Sequence, residues 1–240
     1  MLWFRGLLFT IAMYGAALLL SATVLSLFWA PHSWRWAVAV WWAKFCLWAG
    51  RVLCGLRVTT EGSENVPDEP CVFLIKHTTA LETYWQIAAL PQSAWVLKRE
   101  LLWLPVFGWA LGLVMKSIAI NRNAGGPAVK QVIEQGKVRL ASGMSVCIFP
   151  EGTRMPPGET RRYGVSGAAL AAETGCPVVP VAHNAGDFWP KRGMAKQPGN
   201  IRFVIGPPIR PGDDTPRQIN ARAQDWIEGT MAGISRYYNA

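Results

Sequence analysis

The stretch from Gly6 to Ala30 contains no charged residue. A helix of about 20 apolar residues is long enough to cross the ~30 Å hydrocarbon core of a bilayer. A cleaved secretory signal has a shorter apolar core of about 7–15 residues, followed by a cleavage site of small residues. Because this stretch is longer and shows no clear cleavage site, it predicts a retained membrane helix. A cleaved signal is the less favoured alternative.

A second apolar stretch, residues 33–50, is rich in tryptophan and interrupted by basic residues. Its large apolar residues recur at helical spacing and form one stripe: Trp34, Val38, Trp41, Phe45 and Trp48. Tryptophan together with lysine and arginine favours the headgroup layer of a membrane. This predicts a helix that lies in or dips into one leaflet, and packing against the first helix as a hairpin is compatible with that. Residues 1–55 are therefore predicted to be membrane-anchoring helices.

The charge of the chain is unevenly distributed. It carries 24 Lys and Arg against 15 Asp and Glu, a formal net charge of +9, and Glu61 is the first acidic residue. A basic, tryptophan-rich protein indicates an anionic partner, such as a membrane surface, a phosphorylated substrate or nucleic acid. Nucleic acid is not expected, because no binding motif is recognisable. The basic residues Lys44, Arg51 and Arg57 predict that the following domain faces the cytoplasm.

The cysteines and histidines predict no metal site. The five cysteines form no CxxC pair, and with three scattered histidines they give no zinc pattern. Cys71 and Cys147 lie in apolar, strand-like segments. These features favour buried thiols in a reducing compartment.

Strand-like and helix-like segments alternate after residue 70. The strand-like segments are CVFLIK, SAWVLK, SIAIN, SVCIFP, PVVPVA and NIRFVIG, and the helix-like segments between them include TALETYWQIAAL, PAVKQVIEQGKVRLASG and GVSGAALAAETG. Thr215 and Gln218 form a capping-box pattern with Pro216 at the first helical position, which predicts a C-terminal helix. The alternation predicts an α/β fold with a mostly parallel sheet flanked by helices. This domain is predicted to span residues 56–240.

The segment LLWLPVFGWALGLVM, residues 101–115, is apolar but contains Pro105, Gly108 and Gly112. It is too short and too interrupted for a membrane span. A membrane-contacting or acyl-binding wall and a buried core helix both fit, because periodicity does not separate such runs.

Polar residues follow several of the predicted strands. His77 follows CVFLIK, Lys98 ends SAWVLK, Arg122 follows SIAIN, and Glu151 to Arg154 follow SVCIFP. Ligands of parallel sheets collect at the carboxyl ends of the strands. A histidine, a carboxylate and several cations at one edge therefore predict proton transfer beside a bound anion. His32 and His183 have weaker cases, and His183 is expected to be structural.

Other catalytic patterns are absent from the sequence. It contains no GxGxxG, no GxxxxGK[ST] and no GxSxG. The first two absences count against a standard nucleotide site, and the third counts against an α/β-hydrolase serine nucleophile.

Several motifs resemble those of the glycerolipid acyltransferases. HTTALE, residues 77–82, resembles their HxxxxD signature, FPEGTR, residues 149–154, their third motif, and CPVVPVAHNAG, residues 176–186, their fourth. The set is similar to that of the bacterial lysophosphatidate acyltransferases. There are two departures. Glu82 stands where the family has aspartate, and the segment KSIAINR preserves only Arg122 of the second motif, with Lys116 and Ala119 at its other places.

The resemblance implies a fatty acyl transfer from acyl-carrier protein or acyl-coenzyme A to the sn-2 hydroxyl of lysophosphatidate, which gives phosphatidic acid. It implies no cofactor besides the thioester cosubstrate, and a place in the bacterial inner membrane. His77 would be the general base, since imidazole ordinarily titrates near ~6.5, and Glu82 would orient it. The phosphate would be held by Lys98, Arg122 and Arg154, and the glycerol would be positioned by Glu151 and Gly152.

Three alternatives remain open at this point. The acceptor could be another lyso-lipid or glycerol-3-phosphate. The chain could be a non-enzymatic membrane-surface binding protein, which the basic N-terminal region alone would fit. Thr79 and Glu82 also match a capping box, so that Glu82 could serve only to begin a helix.

Overall fold

The computed structural model describes residues 1–121, 126–190 and 193–238. Its α-helices are α1 (Leu2–Ser26), α2 (His32–Cys54), α3 (Leu81–Ala89), α4 (Phe107–Met115), α5 (Gly126–Ala141), α6 (Ser166–Thr174) and α7 (Pro216–Ile234). Its strands are β1 (Leu56–Glu61), β2 (Val72–Ile75), β3 (Ser93–Lys98), β4 (Ile118–Ile120), β5 (Ser145–Ile148), β6 (Val178–His183) and β7 (Gly199–Ile205).

The strands form one sheet in the order β1-β7-β6-β2-β5-β3-β4. The β6–β7 pair is antiparallel, and the other neighbours are parallel. The predicted α/β fold with a mostly parallel sheet is confirmed. Strand β1 was not predicted, because its segment LRVTTE is largely exposed along the edge of the sheet.

Helices cover both faces of the sheet. Alternate side chains of a strand point to opposite faces. Phe73 and Ile75 of β2 therefore join a core with α1, α2, α3 and α4. Val72 and Leu74 of the same strand join a second core with α5, α6 and α7. Since β2 is buried on both faces, its sequence is a continuous apolar run, as in other parallel sheets.

The two N-terminal helices lie along the rest of the protein and contact it at both ends. Near the turn between them, the His32 ring contacts the carbonyl of Val114 at 2.6 Å and the side chain of Gln92 at 2.6 Å. At the start of α1, a Cβ on Gly6 would lie 1.8 Å from the carbonyl oxygen of Met194. Only glycine allows the backbones to approach so closely at that point. The two contacts of the His32 ring, with Val114 and Gln92, give this histidine a structural role.

The tryptophan stripe of α2 faces away from the protein. Trp41 is 68% exposed, and Trp34 and Trp48 are also exposed, whereas Trp42 and Ala43 on the other face are buried. Helices α1 and α2 are both long and apolar enough to cross a membrane. Val38, Trp41 and Phe45 of α2 also line a shallow groove with α1, so the stripe both faces outwards and borders the first helix.

The apolar segment 101–115 has a buried part and an exposed part, so neither a buried core helix nor an exposed apolar wall describes all of it. Ala110 and Val114 of α4 are buried against the N-terminal helices. Trp103 is 67% exposed, and Trp109 is exposed on the outer face of α4. The segment is therefore partly a core helix and partly an exposed apolar surface next to α1 and α2.

Helix ends follow the local signals in the sequence. The hydroxyl of Thr215 accepts from the backbone N–H of Gln218, whose side chain returns to the Thr215 backbone, and Pro216 begins α7. The predicted capping box is confirmed. Gly175 ends α6 with a φ of 72°, a left-handed conformation that favours glycine.

Candidate active site

The site lies where β2 and β5 end. These strands are parallel neighbours, so the residues that follow them leave the same edge of the sheet. His77 is the second residue after the end of β2, and the segment from Phe149 to Arg154 directly follows β5. The two quoted motifs, HTTALE and FPEGTR, are therefore brought together by strand pairing.

His77 and Glu82 form a hydrogen-bonded pair. Nδ1 of His77 lies 2.7 Å from Oε1 of Glu82, and the Glu82 side chain is fully buried while the His77 side chain is 14% exposed. Because an ionised carboxylate only accepts hydrogen bonds, Nδ1 donates and Nε2 carries the lone pair. This arrangement gives a partly accessible imidazole a basic nitrogen and fixes its tautomer.

The Glu82 carboxylate is held by several other donors. Oε1 accepts from the backbone N–H groups of Thr78 and Thr79 at 2.9 Å each, and Oε2 accepts from the Thr79 hydroxyl at 2.5 Å. Burial raises the pKa of Glu82, but the hydrogen bond from His77, the interactions with the His183 and His77 rings and the hydrogen bond from Thr79 lower it overall to about 2. Glu82 is therefore a fixed anion at neutral pH.

The same carboxylate takes part in the start of α3. Glu82 reaches back to the Thr79 N–H, as a capping box requires. The Thr79 hydroxyl, however, accepts from the N–H of Leu81 at 2.9 Å rather than from that of Glu82. Only half of the predicted box is formed, and one carboxylate contacts both the helix start and the imidazole.

The FPEGTR segment wraps around His77. The Phe149 ring stacks on the imidazole with 4.1 Å between ring centroids. The N–H of Met155, directly after the motif, donates to the carbonyl of His77 at 2.7 Å. Glu151 Oε1 accepts from the His77 N–H at 3.4 Å. Ring and backbone of His77 are thus held by one neighbouring segment.

Glu151 is a buried acid beside a buried lysine. Its side chain and that of Lys76 are both fully buried, and Lys76 Nζ lies 3.4 Å from Glu151 Oε1. Burial raises the pKa of Glu151 to about 7, although the charge of Lys76 and the His77 N–H act in the opposite direction. Burial therefore disfavours the charged form of Glu151, and the charge of Lys76 partly offsets this effect.

The predicted anion-binding residues lie on different segments of the chain. Lys98 is half exposed at the end of β3 and pairs with Glu100 at 3.4 Å. Arg154 is half-buried in the segment that follows β5. Gly152 has a φ of 69° and is half-buried in the turn after Phe149. Arg122 lies outside the described residues.

His183 is a buried residue that contacts the backbone next to His77. It is completely buried, and its Nε2 lies 2.7 Å from the carbonyl of Lys76, while Nδ1 accepts from the Ala185 N–H at 3.3 Å. Burial lowers the pKa of His183, so the neutral ring with a proton on Nε2 satisfies both contacts. The structural role expected for this histidine agrees with these contacts.

A sequence model of the Acyltransferase family matches residues 57–184, a range that includes the His77–Glu82 pair and the FPEGTR segment. The chain belongs to the acyltransferase family. The matched residues therefore include both segments that form the site, HTTALE and FPEGTR.

Named relatives of this acyltransferase are similar over most of their length. It is 47% identical over 197 residues to a 1-acyl-sn-glycerol-3-phosphate acyltransferase of Pseudomonas aeruginosa, which covers 81% of this chain and 76% of that protein. It is 28% identical over 200 residues to 1-acyl-sn-glycerol-3-phosphate acyltransferase alpha of Mus musculus, which covers 80% of this chain and 68% of that protein.

The fold also has a match among solved structures. The crystal structure of the 1-acyl-sn-glycerophosphate (LPA) acyltransferase PlsC from Thermotoga maritima superimposes with a TM-score of 0.80 and 22% sequence identity, and covers 97% of both chains. This similarity supports the α/β architecture together with the two N-terminal helices.

The departure at Glu82 has a simple geometric outcome in this acyltransferase. The side chain is one methylene longer than the aspartate of the HxxxxD pattern, yet it reaches from the first turn of α3 back to His77 Nδ1 at 2.7 Å. The longer acid therefore makes the same kind of contact that the resemblance implies for aspartate.

Several residues of the site were not identified from the sequence. Two of them are Lys76 and Phe149. The others are Glu228, whose Oε1 lies 2.8 Å from Lys76 Nζ, and Tyr163, whose hydroxyl donates to Glu228. Lys76 had a recognisable signal, because it is a charged residue at the end of the apolar run CVFLIK, and buried lysines are rare unless paired. Glu228 had none, since a glutamate on an amphipathic helix is ordinarily solvated.

Proposed function

We propose that this acyltransferase moves a fatty acyl group from a thioester to the sn-2 hydroxyl of lysophosphatidate and so forms phosphatidic acid. The observation that carries the proposal is the 2.7 Å contact between His77 Nδ1 and the buried Glu82 carboxylate. It is supported by the 47% identity to the Pseudomonas aeruginosa protein of that name.

In the proposed mechanism, His77 Nε2 removes the proton from the acceptor hydroxyl as its oxygen attacks the thioester carbonyl. The imidazolium that forms is stabilised by the anionic Glu82 through Nδ1. The tetrahedral intermediate then collapses, the carbon–sulfur bond breaks, and the departing thiolate receives the proton from Nε2. One base can serve both steps because its proton is returned to the leaving group.

A covalent acyl-cysteine intermediate is not part of the proposal. The nucleophile of cysteine chemistry is the thiolate. Burial raises the pKa of Cys71 to about 12 and also raises that of Cys147. These thiols are protonated at neutral pH and lie within or beside the central strands β2 and β5, away from solvent.

The acceptor is proposed to bind through its phosphate and glycerol. Lys98, Arg122 and Arg154 are the candidate phosphate contacts, since charge-assisted hydrogen bonds to phosphate are strong. Glu151 and Gly152 are the candidate glycerol contacts. Among the described residues, Glu151 Oε2 is a buried oxygen without a hydrogen-bond partner, and we propose that a hydroxyl of the bound acceptor donates to it.

Purified enzyme assayed with several acceptors and both thioesters tests this function. We expect kcat/KM for lysophosphatidate to exceed that for a lyso-aminolipid without a phosphate by at least ~10-fold, because a phosphate monoester carries about −1.5 to −2 charges at neutral pH and the aminolipid lacks this anion. Glycerol-3-phosphate has the same phosphate but no acyl chain, so it should also be a poorer acceptor. The same assay compares acyl-carrier protein with acyl-coenzyme A. Preferential use of another acceptor, or no consumption of either thioester, would contradict the proposal.

We further propose that the enzyme associates with the membrane through one apolar surface formed by α1, α2 and α4. Its exposed residues include Trp3, Phe4, Ile11, Leu18, Trp41, Trp48, Trp103 and Trp109. Soluble monomers seldom expose contiguous apolar patches of this kind, and a lipid acceptor would have to be drawn from a bilayer. The chain is proposed to reside in a bacterial inner membrane with the catalytic domain towards the cytoplasm.

The orientation can be tested by proteolysis of spheroplasts of a Gram-negative host that produces the protein. Lys44, Arg51 and Arg57 lie at the junction with the catalytic domain, and positively charged residues favour the cytoplasmic side. Protease added outside should leave residues 56–240 uncut, and the same protease added to lysed spheroplasts should digest them. Cleavage of the domain in intact spheroplasts would show the opposite orientation.

A further inference from the structure

Lys76 is a buried cation that the proposed mechanism does not use. It directly precedes His77, and its side chain is completely shielded from solvent. Nζ lies 2.8 Å from Glu228 Oε1 on α7, 3.4 Å from Glu151 Oε1, and 3.3 Å from the backbone oxygen of Glu159. A buried ammonium is costly unless paired and hydrogen-bonded, and here two carboxylates share it.

The other carboxylate of this cluster is held in its charged form. Glu228 Oε1 also accepts from the hydroxyl of Tyr163 at 2.7 Å and from that of Thr160 at 2.9 Å. Burial raises the pKa of Glu228, but the hydrogen bonds from Lys76 and Tyr163 lower it overall. Glu228 is therefore anionic and competes with Glu151 for the ammonium of Lys76.

In the described part of the chain, two tyrosines and a histidine that lie against the Lys76–Glu228 pair are neutral at neutral pH. The Tyr238 ring faces Lys76 Nζ at 5.5 Å, and burial raises the pKa of both Tyr163 and Tyr238. His183 contacts the backbone oxygen of Lys76 with its Nε2. Its pKa is lowered by burial. Burial disfavours the ionised form of Glu151, and the charge that opposes this effect is that of Lys76, which Glu151 shares with Glu228.

We propose that Lys76 is a positioning residue for acyl transfer: it holds Glu151 ionised beside His77, and Glu228 determines how much of its charge Glu151 receives. This inference rests on the proposed function for its kinetic consequence. An ionised Glu151 accepts the His77 N–H through Oε1 and keeps Oε2 as an acceptor for a substrate hydroxyl. A protonated Glu151 turns one of these acceptors into a donor.

Two substitutions should move the titration of Glu151 in opposite directions. Lys76→Met removes the cation, so the pKa of Glu151 rises from its value of about 7. Glu228→Gln removes the competing anion, and so the pKa of Glu151 falls. Gln retains an acceptor for Lys76 and Tyr163, and among the described residues Glu228 Oε2 has no partner that its amide would displace. Lys130→Met, at an exposed lysine on α5, is the matched control.

The experiment combines pH profiles with direct titration of the carboxyl. The acid limb of kcat/KM for lysophosphatidate should move to higher pH in Lys76→Met. A rise of one pKa unit from about 7 lowers the ionised fraction of Glu151 at pH 7 from about one half to about one tenth, which gives a loss of about 5-fold. The loss should shrink near pH 9. In Glu228→Gln the limb should move to lower pH, and in Lys130→Met it should not move.

Carboxyl ¹³C NMR of glutamate-labelled protein, with Glu151→Gln to assign the signal, follows the same titration without substrate. Opposite shifts of the Glu151 signal in the two variants support the inference even if the acceptor proves to be a different lipid. An unchanged Glu151 titration, or an equal loss of activity at every pH in both variants, would overturn it. If Lys76→Met does not fold, the shift in Glu228→Gln decides the question alone. An enzyme that transfers no acyl group, but in which Glu151 titrates as described, contradicts the proposed function instead.

Discussion

Replacement of His77 by alanine is expected to lower turnover by at least ~10²–10⁴-fold, the usual effect of removing a general base. The change removes the only group proposed to accept the hydroxyl proton and to protonate the leaving thiolate. The fold should persist, because Glu82 still accepts from the N–H groups of Thr78 and Thr79 and from the Thr79 hydroxyl. Single-turnover acyl transfer and thermal unfolding of the same preparation measure the two effects separately.

Turnover and thermal stability of His77→Ala together distinguish a catalytic role of His77 from a structural one. The imidazole also stacks on Phe149 at 4.1 Å, so a structural role would appear as a lowered melting temperature. His77→Phe is a useful control, because it keeps an aromatic ring for this stacking contact and removes both nitrogens. Near-normal turnover in a folded variant of either kind would remove His77 from the proposed mechanism.

Replacement of Glu82 by glutamine is the second change with a large expected effect. The amide is nearly the same size as the carboxylate but cannot accept a hydrogen bond at both ends. The amide oxygen must take the place of Oε1, because the N–H groups of Thr78 and Thr79 donate there. Nδ1 of His77 then keeps an acceptor, but the imidazolium that forms during the reaction loses the negative charge that stabilises it. A comparable change of the acid in a serine-protease triad costs about 10⁴-fold in kcat. We therefore expect a loss of about 10²–10⁴-fold with the fold retained.

The alternative for Glu82, a role limited to starting α3, predicts a different result. A capping box accepts glutamine as well as glutamate, and Gln218 fills that position at the start of α7 in this protein. Under that alternative, Glu82→Gln should cost less than the ~1 kcal/mol typical of a lost cap and leave turnover nearly intact. Glu82→Asp, which keeps the charge and shortens the reach, serves as the control.

The double variant His77→Ala/Glu82→Gln decides whether the two residues act as a unit. Groups that act together give non-additive losses, so the double variant should be little slower than His77→Ala alone. Losses that multiply would assign Glu82 a contribution independent of His77, which the geometry of the pair does not provide.

Much of the fold was predictable because its signals are local. The six apolar segments from CVFLIK to NIRFVIG all form strands, and α5 and α6 end close to Gly143 and Gly175. The period of the side chains along a helix or strand depends on neighbouring residues only. β1 was not anticipated, because an edge strand with polar, exposed side chains has no such pattern. The place of β1 beside β7 depends on residues about 140 positions apart. The antiparallel β6–β7 pair depends on the path of the chain between these two strands.

The candidate site also has a part that was predictable from the sequence and a part that was not. His77, Glu82 and Glu151 were identifiable from motifs that lie at strand ends, since the chemistry requires particular residue types close together in sequence. The sequence also determined that an uncharged N-terminal run and a tryptophan stripe are present. Only the tertiary structure decided that the stripe faces outwards and that Lys98 pairs with Glu100. It also placed Lys76 between Glu151 and a glutamate 152 positions away on α7. The reason is physical: the ionisation of a buried group is determined by whichever charges the packing brings within a few ångströms, and sequence separation carries no information about that distance.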